Sequence, residues 1–247
     1  MKKYAFSLQK GGVGKTSLSG TIGYMLSKQH KTILVDCDPQ GNLSSWYLTE
    51  PAELELADIL TGRGDPEQAI QEIRENLFII PTYGIDGELK TYGENQLANE
   101  PYIFEDLCTE LENLGFEFAL FDLSPGMGRI DRMVILAMDE IITPMTPEYF
   151  SLDGIEIFSH ELEKIRKNYK RENIKHTKIV CNGYNEAIKQ HREITAQLPK
   201  GFDNYIIPTD PAFRKAQSSH VALFELDPGD RPKKSTTAEL TRLMEDL

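Results

Sequence analysis

A glycine-rich segment close to the N-terminus, residues 10–16 (KGGVGKT), constrains the fold of this chain more than any other part of the sequence. An apolar run at residues 4–8 precedes it and is typical of a strand. After it, Leu18, Ile22 and Met25 recur at the three- and four-residue spacing of one helix face. A glycine-rich loop that joins a strand to a helix predicts a P-loop, in which backbone N–H groups hold the phosphates of a nucleotide.

The glycines and polar side chains of this segment predict how a nucleotide is held. Glycine has no Cβ, so its backbone can approach phosphate oxygens closely, and the following helix N-terminus adds free N–H groups and a positive dipole end. We expect Lys15 to reach the β- and γ-phosphates, Thr16 to ligate Mg²⁺ and Ser17 to contact the α-phosphate. The residues predicted to bind the nucleotide here are Gly11, Gly12, Val13, Gly14, Lys15, Thr16 and Ser17.

The segment departs from the usual P-loop pattern, Gly-x-x-x-x-Gly-Lys-Ser/Thr, at its first position. Gln9 stands there instead of glycine, and a second lysine, Lys10, lies inside the loop. One lysine is enough for the phosphates of its own loop. We therefore expect Lys10 to reach a nucleotide that is held by another subunit.

Short apolar runs alternate with helical patterns along the rest of the chain, which predicts βα units and a mainly parallel α/β sheet. Further strands are predicted at residues 32–35, 77–80, 118–123, 140–143, 178–181 and 205–207. Helical patterns are found at residues 103–114, 133–138, 152–169 and 240–247. Because no repeat or linker divides the chain, a single P-loop domain over residues 1–247 is expected, with residues 82–100 as a mobile surface segment.

The composition disfavours several classes of protein. No apolar run is long enough to cross a bilayer, and the short apolar start lacks the length of a signal peptide, so a cytoplasmic protein is expected. The three cysteines, Cys37, Cys108 and Cys181, include no Cys-x-x-Cys pair and indicate no disulfide framework. With a net charge of −12, binding to DNA or to anionic lipid requires a local basic patch, or two such patches in a dimer.

The loop sequence resembles that of the ParA/MinD family of ATPases, whose hallmark is Lys-Gly-Gly-x-Gly-Lys-Thr. Residues 35–42 (VDCDPQGN) resemble the second motif of the family in the form typical of the ParA branch, and residues 121–125 (FDLSP) resemble the Walker B strand end. Residues 144–152 (PMTPEYFSL) are similar to the Pro-x-x-Pro-Glu-Tyr-Phe segment of the family. Residues 207–208 and 213–216 lie where the family approaches the adenine. The resemblance thus covers most of the chain.

This resemblance implies a doubly wound, mostly parallel sheet flanked by helices, with ATP and Mg²⁺ as cofactors. Two ATP-bound subunits of a homodimer would meet face to face, so that Lys10 of each contacts the nucleotide of the other. Asp38 would position the attacking water and complete the catalytic set with Lys10 and Lys15. Asp36 and Asp122 would hold Mg²⁺ through water, beside the Thr16 hydroxyl. The resemblance also assigns three later residues to the nucleotide site: Asn182, Pro208 and Asp210.

Carboxylates at the ends of neighbouring parallel strands face the crevice where ligands of open α/β sheets bind, which supports these metal assignments independently. One position departs from the family pattern. The family often has Pro-Pro close after the Walker B aspartate, where this chain has Ser124 and Pro125. This departure is expected to change how the loop through Gly126, Gly128 and Arg129 responds to the presence of the γ-phosphate.

The ParA branch implies partition of plasmid or chromosomal DNA by a cytoplasmic protein that associates with the nucleoid when ATP is bound. The ATP dimer binds DNA without sequence preference, and a ParB-like partner protein triggers hydrolysis and release. The P-loop begins so early that no N-terminal operator-binding domain is expected.

A DNA-binding surface is expected to consist of basic residues. Arginines that some relatives have after the Ile-Pro pair are here Thr209 and Ala212, so no DNA contact is carried over there. The richest basic run is residues 164–178, in which Glu172 is the one acidic residue. A solvated helix end whose basic side chains complement the helix dipole is the alternative interpretation. The residues predicted to bind DNA are Lys164, Arg166, Lys167, Lys170, Arg171, Arg214 and Lys215.

The sequence bears on four alternative functions. A MinD-like membrane-surface ATPase is the main rival, but the amphipathic tail at residues 237–247 is acidic, so anionic lipid repels it and a capping helix is favoured. An iron–sulfur relative such as the nitrogenase iron protein needs interface cysteines, and residues 82–100 and 122–148 contain none. A ligase such as dethiobiotin synthetase shares the fold, yet Lys10 and the Asp-Pro-Gln-Gly-Asn motif favour a switch. A ParA relative that positions another cargo stays open.

Overall fold

The structure, a computed structural model, describes residues 1–84, 87–95 and 101–247. Its strands are β1 (Lys2–Phe6), β2 (Thr32–Asp36), β3 (Gln71–Arg74), β4 (Leu77–Ile80), β5 (Phe118–Asp122), β6 (Glu140–Met145), β7 (Lys175–Tyr184) and β8 (Asp203–Pro208). Its helices are α1 (Lys15–Leu26), α2 (Asn42–Tyr47), α3 (Leu56–Leu60), α4 (Pro66–Ala69), α5 (Leu89–Asn95), α6 (Ile103–Asn113), α7 (Arg129–Ala137), α8 (Tyr149–Tyr169), α9 (Lys189–Thr195), α10 (Ala212–Ser218) and α11 (Lys234–Glu245).

In the described residues these strands form one eight-stranded sheet with the order β3-β4-β2-β5-β1-β6-β7-β8. Every neighbouring pair is parallel except β3 and β4, which are antiparallel. Helices cover both faces of the sheet. The predicted fold class, a doubly wound and mostly parallel α/β sheet, is confirmed. A single domain over residues 1–247 stays a prediction.

The central strands are apolar along their whole length because the sheet is buried on both faces. Ile33, Leu34 and Val35 of β2 are all fully buried. Successive side chains of a strand point to opposite faces. Accordingly, Ile33 and Val35 lie in the apolar layer under α6, α7 and α8, whereas Leu34 lies in the layer under α1 and α11. Continuous apolar strands are typical of a parallel sheet covered on both sides.

The C-terminal helix α11 is part of this packing. Leu240 and Leu243 are fully buried, and the helix packs against β8. The main-chain carbonyl of Leu247 accepts hydrogen bonds from the side chains of Lys2 and Tyr4 on β1. The apolar face of the tail is therefore covered by the protein itself, as expected for a capping helix. No helix in the described ranges has both the length and the apolar character needed to cross a membrane.

The predicted mobile surface segment, residues 82–100, differs from expectation where the structure describes it. Residues 89–95 form α5, and Leu89 and Tyr92 of this helix are buried in the apolar layer shared with α6 and α7. Leu89 and Tyr92 thus bury one side of this helix although the stretch is mostly polar in composition. Residues 85, 86 and 96–100 lie outside the described residues.

A buried ion pair lies at the edge of the sheet where β6 and β7 begin. Lys178 Nζ lies 2.8 Å from Glu140 Oε2, and both side chains are more than nine-tenths buried. The Thr177 hydroxyl donates a hydrogen bond to the other Glu140 oxygen. Lys178, although it closes the basic run of the sequence, is therefore not available to a ligand at the surface.

Replacing Lys178 with alanine is expected to lower the free energy of unfolding by about 3–5 kcal/mol, because it leaves the Glu140 carboxylate buried without its counter-charge. Urea denaturation followed by circular dichroism measures the change. Lys175→Ala on the same strand is the control, since Lys175 is exposed, and it should change stability by less than about 0.5 kcal/mol. Equal losses in the two variants would contradict this account.

Candidate functional site

The phosphate loop joins β1 to α1 and needs glycine at two positions. Gly12 and Gly14 have φ angles of 72° and 97°, in the left-handed region that favours glycine. A Cβ on Gly14 would also lie 2.2 Å from Asn182 Nδ2, so no larger residue fits there. Asn182, at the end of β7, donates a hydrogen bond of 3.2 Å from Nδ2 to the Val13 carbonyl. Asn182 thus contacts the loop itself but does not line the cavity above it, and its assignment to the nucleotide stays a prediction.

A cavity of about 590 Å³ opens above this loop. Of the predicted residues, it is lined by Gly11, Gly12, Val13, Gly14, Lys15, Thr16, Ser17 and Asp38. The sequence reasoning missed other residues of its wall: Gln40, Asn42, Ser45, Trp46, Gln217 and His220. Gln40 and Asn42 belong to the Asp-Pro-Gln-Gly-Asn motif and could have been inferred from it. The others lie on or next to short helices that carry no recognisable pattern.

Lys15 is placed to meet phosphate. Its side chain is buried, and Nζ donates hydrogen bonds to the carbonyls of Lys10 (2.9 Å) and Leu8 (3.4 Å). Burial lowers the pKa of Lys15, while the nearby charges of Asp122, Asp38 and Asp131 oppose that shift. A buried ammonium group whose partners are mostly neutral carbonyls is well suited to bind an anion.

Two of the predicted metal ligands lie side by side at the ends of neighbouring strands. Asp36 ends β2 and Asp122 ends β5, and the two are paired in the strand register. The Asp36 carboxylate is already occupied: Oδ2 accepts the Ser44 amide (2.8 Å) and hydroxyl (2.7 Å), and Oδ1 accepts the Asp38 amide (3.3 Å). Burial raises its pKa, and these hydrogen bonds oppose the rise. Asp36 therefore braces the segment between β2 and α2, and its assignment to the metal stays a prediction.

Asp122 is different, because it is completely buried and neither carboxylate oxygen makes a hydrogen bond within the described residues. Burial and the neighbouring charge of Asp36 raise its pKa well above the usual range. The Thr16 hydroxyl lies near enough to favour the charged form, and so does Lys15. A buried carboxylate without partners, beside a hydroxyl and the phosphate loop, fits a hydrated Mg²⁺ ion bound to nucleotide phosphates. The described residues contain no cluster of three or more metal-ligating side chains.

Asp38 projects from the turn that follows β2 and reaches the cavity wall. It is 7% exposed, and its Oδ1 accepts the Gln40 amide at 3.0 Å. The Gly41 amide closes the same turn by donating to the Asp38 carbonyl at 2.9 Å. Asp38 is thus held by its own turn with a carboxylate edge toward the cavity, where it is able to orient a water molecule.

Lys10 points away from the cavity that its own loop forms. Its Nζ lies 2.6 Å from Glu148 Oε2 and also donates hydrogen bonds to Ser151 Oγ (3.2 Å) and Thr146 Oγ1 (3.4 Å). These three partners belong to the segment that precedes and begins α8. The ion pair lowers the pKa of Glu148. The two lysines of the loop therefore have separate environments.

Pro208 and Asp210 do not line the cavity. The Asp210 carboxylate accepts hydrogen bonds from the Ala212 amide (3.1 Å), the Lys233 amide (2.8 Å) and the Thr236 hydroxyl (2.7 Å). These bonds tie the β8–α10 turn to the start of α11. The neighbouring helix α10 reaches the site through Gln217, whose Nε2 donates to Ser17 Oγ at 3.0 Å. The assignment of Pro208 and Asp210 to the nucleotide stays a prediction.

Most of the predicted DNA-binding residues form ion pairs within the chain. The pairs are Lys164–Glu161 (2.5 Å), Arg166–Glu163 (3.2 Å), Lys167–Glu163 (4.0 Å), Arg171–Glu105 and Lys215–Asp230 (2.5 Å). The expectation that Glu172 alone opposes the basic run is wrong. Glu161 and Glu163 on α8 and Glu105 on α6 also pair with basic side chains of the run. Lys170, which directly follows α8, and Arg214 on α10 are exposed. DNA binding by these residues stays a prediction.

Comparison with known proteins places this geometry in a family. The AAA_31 family model, an AAA domain, matches residues 1–176. An uncharacterized protein of Borreliella burgdorferi is 43% identical over 250 residues, covering 100% of this chain and 99% of its own length. The chromosome-partitioning ATPase Soj of Treponema pallidum is 28% identical, covering 92% of this chain and 90% of its own.

A solved structure agrees with this assignment at the level of the fold. The crystal structure of a putative plasmid partition protein from Borrelia burgdorferi bound to AMPPNP superimposes with a TM-score of 0.81. The sequences are 20% identical, and the match covers 100% of this chain and 99% of that one. With the loop motif, the sheet order and these relatives in agreement, the chain belongs to the ParA/MinD family of P-loop ATPases.

Proposed function

We propose that this chain is an ATP-hydrolysing molecular switch of the ParA type that acts in plasmid or chromosome partition. Its ATP-bound homodimer binds DNA without sequence preference, and hydrolysis stimulated by a ParB-like partner protein releases it. The protein is cytoplasmic and associates with the nucleoid while ATP is bound. The partition role rests on the relatives whose names state it.

The separate environments of the two loop lysines carry the proposal. Lys15 alone faces the cavity with its Nζ among loop carbonyls, and it suffices for the phosphates of its own subunit. Lys10 is held outside the cavity by Glu148 on the face of the molecule that bears the phosphate loop. A lysine in that position is available to a nucleotide in a second subunit. This supports a dimer closed by ATP.

The remaining site residues have distinct roles in this scheme. The Thr16 hydroxyl and the Asp122 carboxylate would hold Mg²⁺, which would supply neutralisation of the charge on the phosphates. Asp36 keeps the segment after β2 in place through Ser44. Asp38 is the residue that orients the attacking water, since its carboxylate lines the cavity beside the loop. Asn182 fixes the loop from the side of β7.

Binding to random-sequence duplex DNA tests the function, with ATP, ADP and no nucleotide in parallel. We expect binding with ATP only, weakening steeply as salt is raised because phosphate counterions are released. Vesicles with anionic lipid are the second arm of the experiment, with the same three nucleotide states. Tight, salt-insensitive binding to DNA without nucleotide, or ATP-dependent binding to vesicles instead of DNA, would overturn the proposal.

Charge variants locate the DNA surface. Lys164→Ala with Lys167→Ala removes two α8 lysines, and Arg214→Ala tests α10. If α8 contacts phosphates, the double variant should reduce the slope of log affinity against log salt by about 2. Lys189→Ala is the matched control, because Lys189 forms a similar helical ion pair with Glu193 (3.3 Å) on α9. An unchanged slope in all variants would place the DNA surface elsewhere.

Replacing Glu148 with glutamine should favour the ATP-bound dimer, because Lys10 no longer has to leave an ion pair to reach a second subunit. An exposed pair of this kind contributes little, so we expect a gain of about two- to fivefold in the dimerisation constant. Light scattering or sedimentation with ATP measures it. Glu163→Gln, which breaks the ion pairs with Arg166 and Lys167 toward the far end of α8, should have no effect. Weaker dimerisation of the Glu148 variant would contradict the role given to Lys10.

A further inference from the structure

A buried carboxylate lies beside the site and has no part in the scheme above. Asp131 is in the first turn of α7 and is 2% exposed. Its oxygens accept the Ser124 hydroxyl at 3.0 and 3.1 Å and the Gly128 amide at 2.8 Å. Burial raises the pKa of Asp131, and these hydrogen bonds oppose the rise. One side chain thus holds both ends of the segment 124–128.

This segment, the Walker B loop, runs next to the phosphate loop. It begins two residues after Asp122, and Pro125 is part of the cavity wall. A Cβ on Gly11 would lie 3.9 Å from Pro125 Cβ, which is ordinary van der Waals contact. The position of the Walker B loop therefore determines the shape of the cavity beside the phosphate loop.

The Walker B loop has few other anchors among the described residues. The Gly126 amide donates to the Ser124 carbonyl at 2.9 Å, a bond within the loop itself. The Met127 carbonyl accepts from Arg132 Nε at 3.2 Å, but the Arg132 side chain is half-exposed. Two of the five loop residues are glycines, which leave the backbone free to move unless it is held. The Met127 side chain packs half-buried against the core, and Asp131 is the buried polar group that holds the loop by hydrogen bonds.

Asp131 does not itself line the cavity. It is close enough for its charge to act on Lys15 and to be influenced by Asp38. It therefore belongs to the surroundings of the site without touching a bound nucleotide. Because the charge of Asp131 also acts on Lys15, an effect through the Walker B loop is identified with Ser124→Ala, which leaves that charge in place.

We propose that Asp131 is a positioning residue for ATP hydrolysis, which acts by holding Ser124 and Gly128 so that the Walker B loop stands against the phosphate loop. The hydroxyl of Ser124 makes this possible, and a proline at this position, as the family often has, would lack the donor. Ser124 and Asp131 thus act together to hold the Walker B loop in this chain. The part that concerns hydrolysis rests on the proposed function, whereas the part that concerns the loop does not.

Hydrogen exchange of the nucleotide-free protein tests the position of the loop. Ser124→Ala removes one hydroxyl from a half-buried side chain, and Asp131→Asn removes the charge while keeping the shape. Each should lower the protection of amides in residues 124–128 by at least about tenfold, the equivalent of a lost charge-assisted hydrogen bond. The control is Asp139→Asn. The Asp139 carboxylate also accepts a backbone amide, that of Lys3 at 2.9 Å, but it lies beyond the opposite end of α7.

Steady-state hydrolysis tests the consequence. Both variants should lower kcat by about tenfold to a hundredfold, as expected for a misplaced site, and leave KM within about twofold. Ser124→Thr keeps the hydroxyl, and its kcat should stay close to that of the wild type. The double variant should be no slower than Asp131→Asn alone, because the two residues act as a unit.

The outcomes separate the two proposals. Unchanged exchange at residues 124–128 in both variants overturns the positioning role, whatever the activity. Faster exchange with unchanged kcat shows that the loop is held by Asp131 but that hydrolysis does not depend on it, which also overturns the proposal. A wild-type protein that hydrolyses no ATP contradicts the proposed function, and exchange then still decides the role of Asp131 in the loop. If Asp131→Asn fails to fold, Ser124→Ala decides alone.

Discussion

Replacing Lys15 with alanine is expected to lower the rate of ATP hydrolysis by at least about a hundredfold, the scale seen when one preorganised charge-stabilising donor is removed from an active site. Lys15 is buried at the foot of the cavity, and among the described residues its Nζ has only carbonyl partners at hydrogen-bond distance. No other lysine lines the cavity in the described residues. Release of phosphate from ATP, followed under single-turnover and steady-state conditions, measures the loss.

The same variant should not lose stability without nucleotide. Because burial lowers the pKa of Lys15 in the folded protein, the charged side chain destabilises the fold at neutral pH. This destabilisation decreases as the pH rises from the pKa of the folded state to the higher pKa of the unfolded state. Lys15→Ala should therefore unfold at an equal or higher urea concentration. Lys28→Ala is the control, since Lys28 lies in the turn after α1 with its Nζ 3.9 Å from the Tyr24 ring centroid. A similar loss of activity in both variants would contradict the role of Lys15.

Replacing Asp122 with asparagine should have two effects of opposite sign. Hydrolysis should fall by about a hundredfold or more, and addition of Mg²⁺ should tighten ATP binding less than in the wild type, because the carboxylate proposed to hold the metal is lost. Without nucleotide, the variant should be more stable than the wild type at neutral pH, because asparagine carries no charge that burial disfavours. Isothermal titration and thermal unfolding measure the two effects.

The pH dependence of the stability difference follows from the raised pKa of Asp122. Between the unfolded and the folded pKa, the unfolded state is deprotonated and the folded state is not, so the stability of the wild type falls as pH rises through this window. The advantage of Asp122→Asn should thus be absent near pH 3 and grow toward neutral pH. Asp139→Asn is again the control. A variant that is less stable than the wild type at every pH would show that Asp122 has a partner.

The sequence predicted those parts of the molecule that depend on local chemistry. The phosphate loop was found from its glycines, because Gly12 and Gly14 adopt backbone angles that few other residues tolerate. The strands that carry Asp36 and Asp122 were found because both faces of a parallel sheet are buried and the strands are therefore continuously apolar. Strand β3 was missed, since its residues 71–74 are mostly polar and pair only with β4 at the edge of the sheet.

What the sequence could not reveal were pairings between distant residues. Lys10 and Glu148 are far apart in the chain, and the distance between them depends on how β6 and the loop are placed. The acidic partners of the basic run could be suspected on α8 from their spacing, but Glu105 on α6 could not. Gln217 and His220 line the cavity only through tertiary packing, because α10 is far from the phosphate loop in the sequence.

Trp46 is the one tryptophan of this chain, and it stands in the wall of the nucleotide cavity. It is 2% exposed, its indole donates a hydrogen bond of 2.8 Å to the Val221 carbonyl, and its ring stacks on Tyr47. A Cβ on Gly20 of α1 would lie 2.5 Å from this ring, so the helix that follows the phosphate loop packs directly on it. The protein thus carries its own optical probe. Its intrinsic fluorescence should change as the cavity fills and empties, so that the nucleotide cycle can be timed in the unlabelled protein.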